Sequence, residues 1–154
     1  MLQPDTLHHL WRDLQAAHRQ LAGWQLVVNG RMTSSAGRCK YDRREIHVAA
    51  WHLRRSRKAD VVDTLLHEAA HALAGPRTNH GPAWKQWAER LGADPSRALP
   101  TDVWRDSPAA ARRPRWLARC RACDQQYRRQ RRSRRRRLVC GRCGGALTWT
   151  SLPA

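Results

Sequence analysis

Three histidines and one glutamate fall within residues 67–80, in the stretch LLHEAAHALAGPRTNHGPAW. At about 100° per residue, His67 and His71 stand about 40° apart around a helix and project from one side. Two neutral imidazoles one turn apart can share a Zn²⁺ and leave room for a third ligand and a water. The cation draws that water's pKa toward neutrality, and an adjacent carboxylate can take its proton without ligating the metal. Glu68 holds that position in the H-E-x-x-H pattern, which casts it as the general base of peptide hydrolysis. A structural helix with surface histidines is the plainer reading. It is disfavoured because Val61, Val62, Leu65, Leu66, Ala69 and Leu73 fill the opposite arc, so the match lies mid-helix on the side away from the core.

The third ligand has several claimants. A metzincin needs a histidine at position 77, which is Arg77. His80 follows Gly75 and Pro76, which can turn the chain back toward the metal. Glu89 on the next helix is the rival, and His47 and His52 are weaker candidates. The ligand preferences of catalytic zinc favour His80.

A second set of metal-type residues closes the chain. Cys120-x-x-Cys123 and Cys140-x-x-Cys143 stand sixteen residues apart. Each pair can place two thiolates on one metal, and two such knuckles make the four-sulfur shell of a structural zinc. Two disulfides are the alternative, which the missing export signal disfavours. Residues this poor in aliphatics need the roughly 10 kcal/mol that a structural metal contributes to folding. Between the knuckles, residues 128–137 contain eight arginines: Arg128, Arg129, Arg131, Arg132, Arg134, Arg135, Arg136 and Arg137. Guanidinium binds phosphate oxygens bidentately, and Tyr127, Trp116 and Trp149 flank the run as possible stacking partners for unpaired bases. Core packing is an equal reading for Trp149.

These groups need elements to position them. Residues 5–21 place Leu7, Leu10, Trp11, Leu14 and Leu21 at helical spacing, with Gly23 as the stop. Residues 24–29, 36–42 and 44–51 read as strands of a small antiparallel sheet. Residues 58–76 form the zinc helix, with Asp60 and Asp63 in its first turn and Gly75 and Pro76 ending it. Residues 81–92 form another helix, whose Trp84, Trp87, Ala88 and Leu91 are read as core. The strand REIHVAA, residues 44–50, is expected beside the cleft, pairing with substrate backbone. Cys39 is read as a buried thiol.

The stretches RMTSSAGRCKYDRREIHVAAWHL, DTLLHEAAHALAG and NHGPAW resemble the SprT-like family of zinc metalloproteases, from about Trp24 to Gly92, and the cysteine pairs resemble the zinc ribbon of its bacterial members. The resemblance implies an α+β fold: a small antiparallel sheet with a zincin-type active-site helix, flanking helices and a C-terminal zinc ribbon. The expected domains are an SprT-like metalloprotease domain over 1–105, a linker over 106–114 and an arginine-rich zinc ribbon over 115–154. The resemblance also implies His67, His71 and His80 as ligands of a catalytic zinc, Glu68 as the catalytic residue activating a zinc-bound water, and a DNA-stimulated protease of DNA-bound or crosslinked proteins.

Charge and length bound the rest. The net charge is +18, and residues 112–154 carry fourteen arginines against one acid, Asp124. A field that dense points to a polyanion, and nucleic acid is the expected partner. The expected setting is a monomer on single-stranded or junction-containing DNA, cytoplasmic and nucleoid-associated, with protein substrates and no membrane. No apolar run approaches the roughly 18 residues of a membrane span, and the opening MLQPDTLHHLW does not read as a secretory signal. A non-catalytic, regulatory nucleic-acid-binding zinc protein is the alternative, and an open coordination position separates the two.

Overall fold

The computed structural model describes residues 2–95, 107–110, 114–133 and 138–153. The chain divides into two compact units, Met1–Ala111 and Arg112–Ala154, and the architecture is mixed α+β. Among the described residues no helix is long and apolar enough to cross a membrane.

The first unit opens with α1, Pro4–Ala17, which buries Leu7 and Trp11 and has proline in its first turn, where the missing N–H costs no bond. A 3₁₀ turn, Arg19–Leu21, follows, and the Gln15 amide ties it to the sheet by donating to the carbonyls of Leu21 and Trp24, both at 3.0 Å. Strands β1 (Gln25–Asn29), β2 (Gly37–Lys40) and β3 (Glu45–Ala49) come next. Then come α2 (Ala50–Arg55), α3 (Lys58–Ala74) and α4 (Pro82–Leu91).

The sheet departs from the sequence reading in two ways. Its order is β1-β3-β2, and β1 pairs with β3 in parallel, from Gln25↔Glu45 to Asn29↔Ala49, so the sheet is mixed and not antiparallel. Only β2 and β3 run antiparallel, from Gly37↔Val48 to Lys40↔Glu45. The expectation that REIHVAA pairs with substrate is therefore overturned. β3 is the central strand, with hydrogen bonds on both edges, and among the described residues β2 carries an open edge. The apolar run after β3 also turns into α2, a helix too short for its periodicity to register in the sequence.

The main core packs Leu7, Trp11 and Leu21 with Ile46, Val48 and Leu53 against Val61, Leu65 and Ala69 of α3. Cys39 packs at its margin, and burial pushes its thiol up to about 12, which leaves it protonated and inert. A second cluster, Ala70, Trp84, Ala88 and Ala93, joins α3 to α4. Truncation of a residue as buried as Leu65 to alanine costs about 2–5 kcal/mol.

Fully buried His52 joins α2 to α3. Its Nε2 lies 3.2 Å from the Asp60 carbonyl, which can only accept, so Nε2 carries the proton; Thr64 Oγ1 lies 2.9 Å from the same nitrogen. Nδ1 then accepts from the Ser56 hydroxyl at 2.7 Å. Burial holds the imidazole below its ordinary 6.5, so the folded protein keeps it neutral while the unfolded chain protonates it more readily. Its contribution is full above about pH 6.5 and is lost as pH falls through the folded value. The expected outcome is an unfolding midpoint that drops as pH is lowered below about 6.5, and that drops less steeply in His52→Gln. Denaturant melts across that window check it.

Candidate metal centres

Helix α3 carries His67 and His71 one turn apart, and Gly75 ends it with φ 93°, a conformation that favours glycine. The return loop is held by the Thr78 hydroxyl donating to the Gly75 carbonyl at 2.8 Å and by Gly81 N–H donating to the Thr78 carbonyl at 2.9 Å. The Tyr41 hydroxyl, 3.0 Å from the His71 carbonyl and 3.2 Å from that of Gly75, caps the end of the helix. The loop delivers His80 to the pair: His80 Nε2 lies 3.0 Å from His67 Nε2 and 3.2 Å from His71 Nε2.

Three ring nitrogens converging on one point suit a cation. A tetrahedral metal with bonds of about 2.0–2.1 Å places neighbouring nitrogens about 3.3–3.4 Å apart, close to the spacing found. Burial, then the neighbouring imidazoles, hold both His67 and His71 down to about 4, so at neutral pH they are the uncharged donors that a metal requires. The rival ligands lie elsewhere. Glu89 is exposed on α4 and His52 is committed to its own network. His47 Nδ1 accepts from the Asn29 amide at 2.9 Å, which leaves its Nε2–H to donate to Glu45 at 2.7 Å.

Trp84, read from the sequence as core alone, also walls the site. It is fully buried, its ring centre lies 4.7, 5.4 and 4.5 Å from those of His67, His71 and His80, and its indole N–H donates to the His67 carbonyl at 3.3 Å. The histidines thus do not face away from packed structure; they stand on the α3–α4 core. A signal was present: Trp84 follows His80 by four residues, at the start of a helix that must pack on α3.

Glu68 turns toward β2, where its carboxylate accepts the Cys39 backbone N–H. Burial raises its carboxyl from 4.5 to about 7, opposed by that N–H and by the positive charge of Arg38. A carboxyl titrating near neutrality is suited to both accepting and returning a proton.

The second unit is a three-stranded antiparallel sheet of order β5-β4-β6, formed by β4 (Trp116–Cys120), β5 (Gln126–Arg129) and β6 (Leu147–Ser151). Cys120 and Cys140 open equivalent turns: Asp124 N–H donates to the Cys120 carbonyl and Gly144 N–H to that of Cys140. All four thiols are free, with Sγ–Sγ distances of 3.3–3.6 Å between the turns. Disulfide sulfurs stand about 2.05 Å apart, whereas four sulfurs at about 2.3 Å from a zinc stand about 3.8 Å from one another, so the cluster fits the metal.

Tyr127 is placed differently from a free stacking platform. Its hydroxyl accepts Gly141 N–H at 3.1 Å and donates to Cys140 Sγ at 3.2 Å, and this bond draws the Cys140 thiol down to about 6. Arg128, Arg129, Arg131 and Arg132 are exposed; Arg129 lies 5.5 Å from the Tyr127 ring centre and Arg132 lies 6.0 Å from that of Trp116. Arg134, Arg135, Arg136 and Arg137 lie outside the described residues. A groove of about 810 Å³ is lined by Trp116, Arg131, Arg132 and Arg115, the last passed over because it stands outside the arginine run. Since a hydroxyl bonded to a ligating sulfur stabilises the thiolate, Tyr127→Phe is expected to weaken zinc retention about 10–100-fold, read as transfer of zinc to a chromogenic chelator.

The SprT-like family model matches residues 5–104, and the SprT-like zinc ribbon domain matches residues 114–150. The proteins named "Protein SprT-like" from two strains of Staphylococcus epidermidis are each 28% identical to this chain over 127 residues, covering 80% of this chain and 80% of theirs.

Proposed function

The chain belongs to the SprT-like family, and from that premise we propose that it is a zinc metalloendopeptidase that cuts proteins bound or crosslinked to DNA. The observation that carries this reading is the meeting of His67, His71 and His80, with Glu68 next to His67 in the chain and its carboxyl raised to about 7.

The three imidazoles would hold the catalytic zinc, which when bound supplies a Lewis acid that acidifies water and polarises a peptide carbonyl. Glu68 takes the proton of the attacking water on its carboxylate and returns it to the leaving amine nitrogen. Trp84 keeps the three rings in register and excludes water from behind them. The outer edge of β2, apart from the Cys39 N–H that Glu68 takes, supports backbone pairing with an extended substrate, a mode largely indifferent to side chains and suited to varied proteins on DNA.

The ribbon's role is to hold nucleic acid. Its four thiolates fix a sheet from which Arg128, Arg129, Arg131 and Arg132 reach solvent, and the groove beside Trp116 joins guanidinium to an aromatic face. Phosphate contacts of this kind give affinity without sequence preference.

Glu68→Gln is expected to keep zinc and DNA binding while proteolysis of a DNA-bound protein falls about a hundredfold to ten-thousandfold; parental cleavage by this variant would remove Glu68 as the base. Raising salt from about 50 to about 200 mM is expected to lower DNA affinity roughly a thousandfold or more, read by fluorescence anisotropy, and a flat response would count against the arginine contacts.

A further inference from the structure

Gly37 is the first residue of β2, where a glycine weakens the strand because it packs no side chain and orders more backbone. Its backbone lies outside the left-handed region, so no unusual conformation demands it. Space demands it. A Cβ at this position would lie 2.6 Å from Glu68 Oε1, 2.7 Å from Glu68 Cγ and 2.7 Å from Thr64 Cγ2. A Cβ essentially never makes non-bonded contacts that short, and two of the three involve atoms one bond beyond Cβ, which move only if the side chain turns about χ1.

The pairing register says why the carboxylate lies there. Ala49 N–H donates to the Ala36 carbonyl at 2.7 Å, and antiparallel ladders alternate bonded and non-bonded pairs. The Arg38↔His47 and Lys40↔Glu45 pairs therefore bond to β3, while Gly37 and Cys39 aim their N–H and C=O groups at the open edge. Glu68 takes the outward Cys39 N–H and lies across the missing side chain of Gly37.

We propose that Gly37 is a positioning residue: its bare backbone forms the slot that seats the Glu68 carboxylate against the open edge of β2. The inference rests on the reading of Glu68 as general base. A methyl group at 37 displaces the carboxylate from Cys39 N–H while leaving the histidines, which project elsewhere on α3, in place.

The test is a cycle of Gly37→Ala, Glu68→Ala and the double variant, read first as the unfolding midpoint of the zinc-loaded full chain. Gly37→Ala is expected to lower the midpoint by several degrees in the parent, and to lower it less when combined with Glu68→Ala, because two of the three colliding atoms are then gone and Thr64 Cγ2 alone remains. Equal losses in both backgrounds overturn the slot. Should Gly37→Ala fail to fold alone, the comparison is made with Thr64→Ser added to both Glu68→Ala and the double variant, which removes the remaining Cγ2 contact: a folded Gly37→Ala variant in that background supports the slot, and an unfolded one overturns it. For folded Gly37→Ala loaded with zinc, kcat is expected to fall about a hundredfold with KM within about twofold, as a misplaced catalytic group produces. An unchanged kcat, with Glu68→Gln inactive, overturns the positioning role and leaves Glu68 as base. Parental activity in Glu68→Gln instead overturns the base, and the positioning role with it.

Discussion

Helix α3 must be buried along two sides while its polar residues stay usable, and the arrangement of the first unit follows from that demand. Val61, Leu65 and Ala69 tie the helix to α1 and the sheet, and Ala70 meets Trp84 and Ala88 of α4. A helix apolar on both sides has only narrow strips left for charge and metal donors. One strip carries the imidazoles, walled by Trp84, and the other presses Glu68 on β2. Burial on both sides depresses the histidines and raises the glutamate, so a single packing arrangement tunes bases and acid in opposite directions.

The second unit answers a different problem. Its sheet buries few side chains, and an ordinary apolar core of this size could not offset the repulsion among its arginines. Four cysteines at equivalent turns supply the missing cohesion once metal binds, and the Tyr127 hydroxyl tightens the cluster from one side. Positive charge can then be concentrated on strands and loops without dissolving the fold that carries it.

Much of this was legible in the residues because their spacing encodes local geometry. The bounds of α3, the pairing of His67 with His71 and the two cysteine knuckles depend on neighbours within a few positions. His80 was legible one step further out, because Gly75 announces the turn that brings it back. What was not legible depends on partners distant in sequence. Composition marks β1 and β3 as strands but says nothing of their relative direction, so the parallel pair and the central place of β3 were missed. Trp84 and Tyr127 were each assigned one role, where packing gives the first a second surface and a hydrogen bond gives the second a different task. The value of Gly37 is invisible until Glu68 is seen lying across it.

The strand order has a consequence for how the chain assembles. β2 and β3 meet across the four residues 41–44, whereas β1 reaches the same strand only by closing a span of twenty, from Gln25 to Glu45. Chain entropy makes the longer closure more costly by about 1.4 kcal/mol, so the β2–β3 hairpin is the less demanding of the two pairings to close. The border on which Glu68 rests thus belongs to the most local pairing of the sheet.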